Sequence, residues 1–170
     1  IYMGSFSKTA APGLRIGFLL GPPALVRQFV LAKQAADLHT NSLGQHLLLR
    51  LLGEPAFEEH VATLRRVYRA RRDALDRALE ARIADRMSWQ RPRGGMFLWA
   101  RLTGGGDAAE LLTRALKEGL AFVPGAEFHE EGAGRDTLRL NFSHSREERL
   151  AEGAARLARA VESWSRERGA

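Results

Sequence analysis

Hydrophobic and polar positions alternate most cleanly across Thr137–Ser143. Leu138, Leu140 and Phe142 fall on one side, and Arg139, Asn141 and Ser143 on the other, which is the period of a half-buried strand. Elsewhere the period is helical. Phe57, Val61, Leu64, Tyr68, Leu75, Leu79 and Ile83 form an apolar stripe that predicts a helix over about 56–84. Arg71 falls inside that stripe and must pair or snorkel. Asp107 and Glu110 have capping-box spacing and open a helix to about Gly119, and Ser145 and Glu148 open a last helix ending near Glu162. Pro22 and Pro23 start a helix to about Leu38, and Ser42 caps one over Ser42–Leu52.

Shorter apolar runs predict strands at Tyr2–Ser5, Leu14–Leu20, Met96–Leu102 and Leu120–Val123. In the second of these, Ile16, Phe18, Leu19 and Leu20 read as a buried strand interrupted by Arg15. Pro and Gly punctuate the loops at Ser5–Gly13, Gly53–Pro55 and Arg91–Gly95. The order is two strands, three helices, then β-α-β-β-α. This predicts an α/β protein in two unequal parts, 1–52 and 53–170, the second packing helices on one face of a small, mostly antiparallel sheet.

Composition narrows the possibilities. With 45% hydrophobic residues among 170, the chain can build a core. No run approaches the roughly 18 apolar residues of a membrane span. The absence of cysteine excludes disulfides, a thiol nucleophile and Cys-ligated metal. His39, His46, His60, His129 and His144 have no metal-ligand spacing, so no metal is expected. The chain starts Ile1-Tyr2-Met3 with no signal pattern, and reads as a piece that begins inside a longer protein. The net charge of +6 gathers in 60–101, where eleven Arg face Asp73, Asp76, Glu80 and Asp85. That segment reads as a solvated helix face, since no aromatic interleaving or groove-reading motif accompanies it.

Only three of the 26 basic residues are lysines: Lys8, Lys33 and Lys117. Lys8 lies in a loop flanked by Ser5, Ser7 and Thr9. Arg15, inside an apolar run, calls for an anionic partner. Hydroxyls and loop amides suit a phosphate, and an amine beside a bound phosphate ester suits Schiff-base chemistry. The same residues also fit a solvated loop lysine and an arginine paired with a carboxylate. Arg139, opposite three apolar neighbours, can reach into a cleft as a two-pronged donor for a carboxylate, or be an ordinary exposed arginine.

The segment from Gly4 to Gly17 (Gly4-Ser5-Phe6-Ser7-Lys8-Thr9 and Ala11-Pro12-Gly13-Leu14-Arg15-Ile16-Gly17) closely resembles the cofactor-lysine segment of class I/II aminotransferases. These are the pyridoxal-phosphate (PLP) enzymes of fold type I. The resemblance continues in order through Lys33–Thr40, Arg91–Trp99, Val123–Phe128 and Thr137–Ser143. In look it is nearest to the subgroup that includes 2-aminoadipate and broad-specificity aminotransferases.

The resemblance implies the C-terminal part of the large PLP-binding domain over 1–52, and the small α+β domain with its long interdomain helix over 53–170. Lys8 matches the lysine that forms a Schiff base with PLP and, once freed, acts as the general base. Ser5 and Arg15 match cofactor-phosphate ligands, with Ser7 a weaker one. Arg139 matches the clamp on the substrate α-carboxylate. The implied function is transfer of an amino group between an α-amino acid and a 2-oxo acid by a cytoplasmic homodimer, with no membrane partner and no nucleic acid bound by this segment.

The runner-up is the effector domain of a GntR/MocR-type aminotransferase-like transcription regulator, marked by an upstream winged helix. A third reading keeps the cofactor for a β-lyase or decarboxylase. Thr40 and Asn41 lie where residues of some family dimers reach the neighbouring subunit's cofactor. Phe97 and Trp99 read as core. Roughly the C-terminal two fifths of such an enzyme is covered, without the Gly-rich phosphate loop or the residues that contact the cofactor ring. The segment alone is therefore expected not to turn over amino acids, and its part of the large-domain sheet is expected to leave open edges and exposed apolar surface.

Overall fold

The computed structural model describes residues 1–130 and 132–167. The chain divides into two compact units, Ile1–Leu64 and Arg65–Ala170. The division falls within one long helix, C-terminal to the Gly53–Pro55 break.

In the first unit, β1 (Tyr2–Ser5) pairs antiparallel with β2 (Gly17–Leu20), Tyr2 opposite Leu20 and Ser5 opposite Gly17. The expected buried strand over Leu14–Leu20 is therefore shorter and more exposed. Pro12, which fixes φ and lacks an N–H, starts a 3-10 turn over Pro12–Leu14. Arg15 follows in the left-handed region at φ 55, and pairing begins only at Gly17. Of that run only Ile16 is buried, and Arg15 is exposed rather than set among apolar neighbours.

Helix α1 (Pro23–Asp37) buries no residue. Helix α2 (Ser42–Leu52) is capped by Asn41, one residue before the expected Ser42; the Asn41 Oδ1 accepts the Gly44 N–H at 2.8 Å. Ile16, Gly44 and Leu48 are the buried residues of this unit among those described. Glycine is required at 44 because a Cβ there would meet the Asn41 amide nitrogen at 2.7 Å and Ile16 Cδ1 at 3.2 Å. Tyr2, Met3 and Leu20 of the strands, Phe29 and Leu31 of α1 and Leu47 of α2 are exposed.

Helix α3 (Pro55–Ile83) carries the apolar stripe into the second unit. There β3 (Met87–Trp89), β4 (Phe97–Leu102), β5 (Val123–Pro124) and β6 (Thr137–Asn141) form an antiparallel sheet in the order β3-β4-β6-β5. Strand β3 has no counterpart in the sequence pattern, because three residues are too few to show a period. The strand expected at Leu120–Val123 forms at Val123–Pro124 instead. There its proline sits on an edge strand, where a missing N–H costs least, while Phe122 is buried in the core.

Alternation in β4 and β6 turns Leu98, Ala100, Leu102, Leu138 and Leu140 to the core. They pack with Leu75, Leu79 and Ile83 of α3, and with Ala108, Leu111 and Ala115 of α4 (Ala108–Lys117). Helix α5 (Glu147–Glu167) runs beyond the expected end, because its stripe Leu150, Ala154, Leu157, Val161 and Trp164 stays buried to the last turn. Burying each leucine contributes about 1.5–3 kcal/mol, so these stripes dominate the stability of this unit. Asp107 caps α4, its Oδ1 accepting the Ala109 N–H at 2.8 Å. Arg71, inside the α3 stripe, donates to the Ser143 carbonyl. The opposite sheet face carries Phe97, Trp99, Arg139 and Asn141.

Candidate active-site residues

The connection between β1 and β2 folds tightly over Phe6. The Phe6 N–H donates to the Ile16 carbonyl at 3.1 Å, and its own carbonyl accepts the N–H groups of Thr9 and Ala10 at 3.3 and 2.8 Å. Ser5 Oγ accepts the Ser7 N–H at 3.1 Å. Ser5, Ser7 and Lys8 are thus presented by one short turn, while Arg15 ends the following 3-10 turn, its Nη1 donating to the Pro12 carbonyl at 3.2 Å. Lys8 is exposed, and its amine has no hydrogen bond or ion pair among the described residues. Of the other two lysines, one forms an ion pair among the described residues. Lys33 pairs with Asp37 at 2.7 Å. Arg114 and, more weakly, Lys117 hold the Glu167 carboxyl below its ordinary value.

No Asp or Glu precedes Asp37 in the chain, and Arg15 has no carboxylate partner among the described residues. Amine, hydroxyls and guanidinium, with no competing anion, form a donor set suited to a phosphate ester that also carries a carbonyl.

Arg139 lies in the second unit, directly across from Trp99 of β4 and Val123 of β5. It lines a cavity of about 260 Å³ with Phe97, Ala121, Phe122, Val123 and Asn141. Its Cζ lies 4.1 Å from the centroid of the Phe97 ring and 4.5 Å from that of Phe128. Its Nε is buried and hydrogen-bonds to nothing among the described residues. Asn141 Oδ1 accepts from Ser143 N, Ser143 Oγ and His144 N at 2.8, 3.1 and 3.3 Å. Its Nδ2 is left as a donor without a partner among the described residues. The cavity therefore offers donors and no carboxylate.

Phe97 and Trp99 are not core, contrary to expectation. Phe97 is half-buried and Trp99 is 37% exposed, both on the face away from the helices. The alternation with buried Leu98 and Ala100 carried that signal. Phe128 carries no signal in the sequence pattern, since it lies in a 3-10 turn with no period to read. Asn41 spends its side-chain oxygen on the α2 cap.

The turn before β4 is pinned to α3. Asp73 takes Arg91 at 2.6 Å and Arg72 at 2.7 Å, Asp76 accepts the Trp89 indole N–H at 2.9 Å, and Arg72 donates to the Pro92 carbonyl at 3.0 Å. The Asp73 carboxyl is held below its ordinary value by the Arg91 hydrogen bond first, against the opposing effect of burial and with help from Arg72. These contacts fix the segment that delivers Phe97 beside Arg139.

The profile of the family described as Aminotransferase class I and II matches residues 1–157. The chain belongs to this family. It is 45% identical over 161 residues to a 2-aminoadipate transaminase of Thermus thermophilus, which covers 95% of this chain and 40% of that relative. A solved α-aminoadipate aminotransferase of Thermus thermophilus, complexed with N-(5'-phosphopyridoxyl)-L-leucine, matches with a TM-score of 0.89 at 44% identity, over 95% of this chain and 41% of the other. An uncharacterized HTH-type transcriptional regulator of Bacillus subtilis is more distant, at 32% identity over 145 residues, covering 85% of this chain and 30% of the regulator. The chain spans about 40% of the length of the curated aminotransferase relatives it matches. The mixed α/β fold expected from the resemblance is the one the chain shares with these aminotransferases.

Proposed function

We propose that the protein to which this chain belongs transfers an amino group between an α-amino acid and a 2-oxo acid with PLP as cofactor. The observation that carries this reading is Lys8, a lysine free of partners among the described residues, set in a turn with two hydroxyls, with Arg15 in the same β1–β2 connection and no Asp or Glu in that connection. That donor set suits a phosphorylated aldehyde. When bound, PLP supplies a carbonyl that captures amines and a conjugated ring that accepts electrons from the substrate α-carbon.

The chain's own residues divide the remaining work. Ser5, Ser7 and Arg15 hold the phosphate. Lys8 Nζ holds the cofactor and, once released, takes a proton from the substrate α-carbon and returns one. Arg139 binds the α-carboxylate through Nη1 and Nη2, and Asn141 Nδ2 offers a further donor. In this reading 1–52 belongs to the cofactor-binding domain and 53–170 is the small domain. The family resemblance supports a cytoplasmic homodimer. No described helix is long and apolar enough to cross a membrane.

The regulator relative gives one alternative, an amino-acid sensor built on the same residues. The full-length protein decides between them: an enzyme forms keto acid over many turnovers, and a sensor does not. Replacing Lys8 by Ala in the full-length protein is expected to abolish both the visible absorbance of the bound cofactor and amino transfer. Unchanged absorbance would refute the assignment.

A further inference from the structure

Most arginines of the second unit are tied to carboxylates or carbonyls. Arg91 pairs with Asp73, Arg101 with Asp136, Arg135 with Asp107 and Arg159 with Glu118. Arg139 has neither kind of partner among the described residues. What it has are two aromatic faces, Phe97 at 4.1 Å and Phe128 at 4.5 Å from Cζ. The Trp99 ring packs edge-on with Phe128, centroids 5.4 Å apart and planes at 75°. Trp99 is itself the cross-strand neighbour of Arg139. Two aromatic rings from two elements thus face one guanidinium, and a third ring packs on one of them.

This has a chemical consequence. Ring contacts over the guanidinium leave its edges for hydrogen bonding, and the Nε edge is already shut away. Nη1 and Nη2 are the atoms left for a ligand. A free arginine side chain gives up considerable rotamer freedom when it grips an anion. One already held between rings has given up that freedom before the ligand arrives.

We propose that Phe97 and Phe128, with Trp99 packed on Phe128, are positioning residues that hold the Arg139 guanidinium so that a substrate carboxylate meets it only through Nη1 and Nη2. The proposal rests on the reading of Arg139 as the carboxylate site, and the test separates the two. It also gives a role to the aromatic pair of β4, whose outward placement is otherwise a cost in exposed apolar surface.

The test uses the full-length holoenzyme and the variants Phe97→Leu, Phe128→Leu, Phe128→Tyr and Arg139→Lys. Leucine keeps bulk and removes the π face; tyrosine keeps the face. In each leucine variant the KM for the amino acid, and the inhibition constant of propionate as a bare carboxylate probe, are expected to rise roughly 3- to 30-fold. The kcat should stay within about twofold, because the rings act on carboxylate binding. Phe128→Tyr is expected to stay near wild type. The KM for an amine donor lacking a carboxylate is expected not to move.

The proposal is overturned if the leucine variants bind propionate and the amino acid as wild type does. It is equally overturned if the carboxylate-free amine loses as much as the amino acid, since the effect is then a general disturbance. If Arg139→Lys weakens propionate binding while the ring variants do not, the ring proposal fails and the carboxylate site stands. If Arg139→Lys changes nothing, both fail. Should Phe128→Leu not fold, Phe97→Leu carries the same expectation against Phe128→Tyr.

Discussion

Replacing Gly125 by Ala tests how tightly the strands around Arg139 are locked together. Gly125 follows β5, whose Val123 lies directly across from Arg139. A Cβ at 125 would sit 2.8 Å from both the carbonyl oxygen and the Cβ of Thr137, and closer still to its hydroxyl. None of these can yield cheaply. Thr137 is 1% exposed, and its N–H and Oγ1 both donate to the Gly134 carbonyl, at 3.0 and 2.7 Å. Relieving the contact must separate β5 from β6 or break one of those bonds.

Overpacking of this kind costs about 1–3 kcal/mol, and a lost hydrogen bond adds about 1 kcal/mol. The expected destabilisation is thus about 2–4 kcal/mol, or roughly 10–25 °C in the melting temperature of a unit this size. Tryptophan fluorescence against urea and temperature reads it, since Trp89, Trp99 and Trp164 all lie in this unit. The double variant with Thr137→Ala should not be rescued, because the Thr137 carbonyl remains in place. A Gly125→Ala protein within about 0.5 kcal/mol of wild type, the range of an ordinary surface change, would refute the strand lock.

Three further outcomes are expected. Arg139→Lys keeps the charge but loses the planar two-pronged donor, about 2–4 kcal/mol or roughly 30- to 1,000-fold in kcat/KM for the amino acid of the full-length protein. Its melting temperature should fall only modestly, because no hydrogen bond among the described residues is lost and only the ring contacts are altered. Asp73, held low chiefly by Arg91, and Asp107, held low by Arg135 and then by the Ala109 N–H, have folded pKa values below their unfolded ones. Their contribution is complete above the ordinary carboxylate range, near about 4, and is lost as pH falls through the depressed values. Urea midpoints between about pH 7 and 2 should fall less steeply for Asp107→Asn than for wild type; parallel profiles would count against the pairing. Residues 1–170 alone, mixed with PLP and an amino donor, are expected to give no sustained keto acid, since they span about 40% of their relatives' length; continued formation would contradict this.

Regular alternation made part of the architecture legible. Leu138, Leu140 and Phe142 against Arg139 and Asn141 fixed the faces of β6, and the helical stripes of α3 and α5 fixed theirs, because core burial enforces one period along a whole element. Short or irregular pieces escaped. Met87–Trp89 is too brief to display a period, and the αL residue Arg15 after Pro12–Leu14 broke an apolar run that looked like one strand. Local capping moved by one residue, from Ser42 to Asn41, since both side chains can accept an N–H. The lysine turn was legible only as a motif. One of the two ring contacts on Arg139 comes from Phe128, in a 3-10 turn outside any strand and with no period to read. The outward placement of Phe97 and Trp99 follows the alternation that turns Leu98 and Ala100 to the core.

The central claim is that Lys8 bonds to the cofactor. The most direct measurement is reduction of the full-length holoprotein with borohydride, which fixes the imine, followed by peptide mass spectrometry. The phosphopyridoxyl mass is expected on the peptide containing Lys8 and to vanish in Lys8→Ala. Finding it on Lys33, on Lys117 or on a lysine outside this chain, with Lys8 unmodified, would contradict the account.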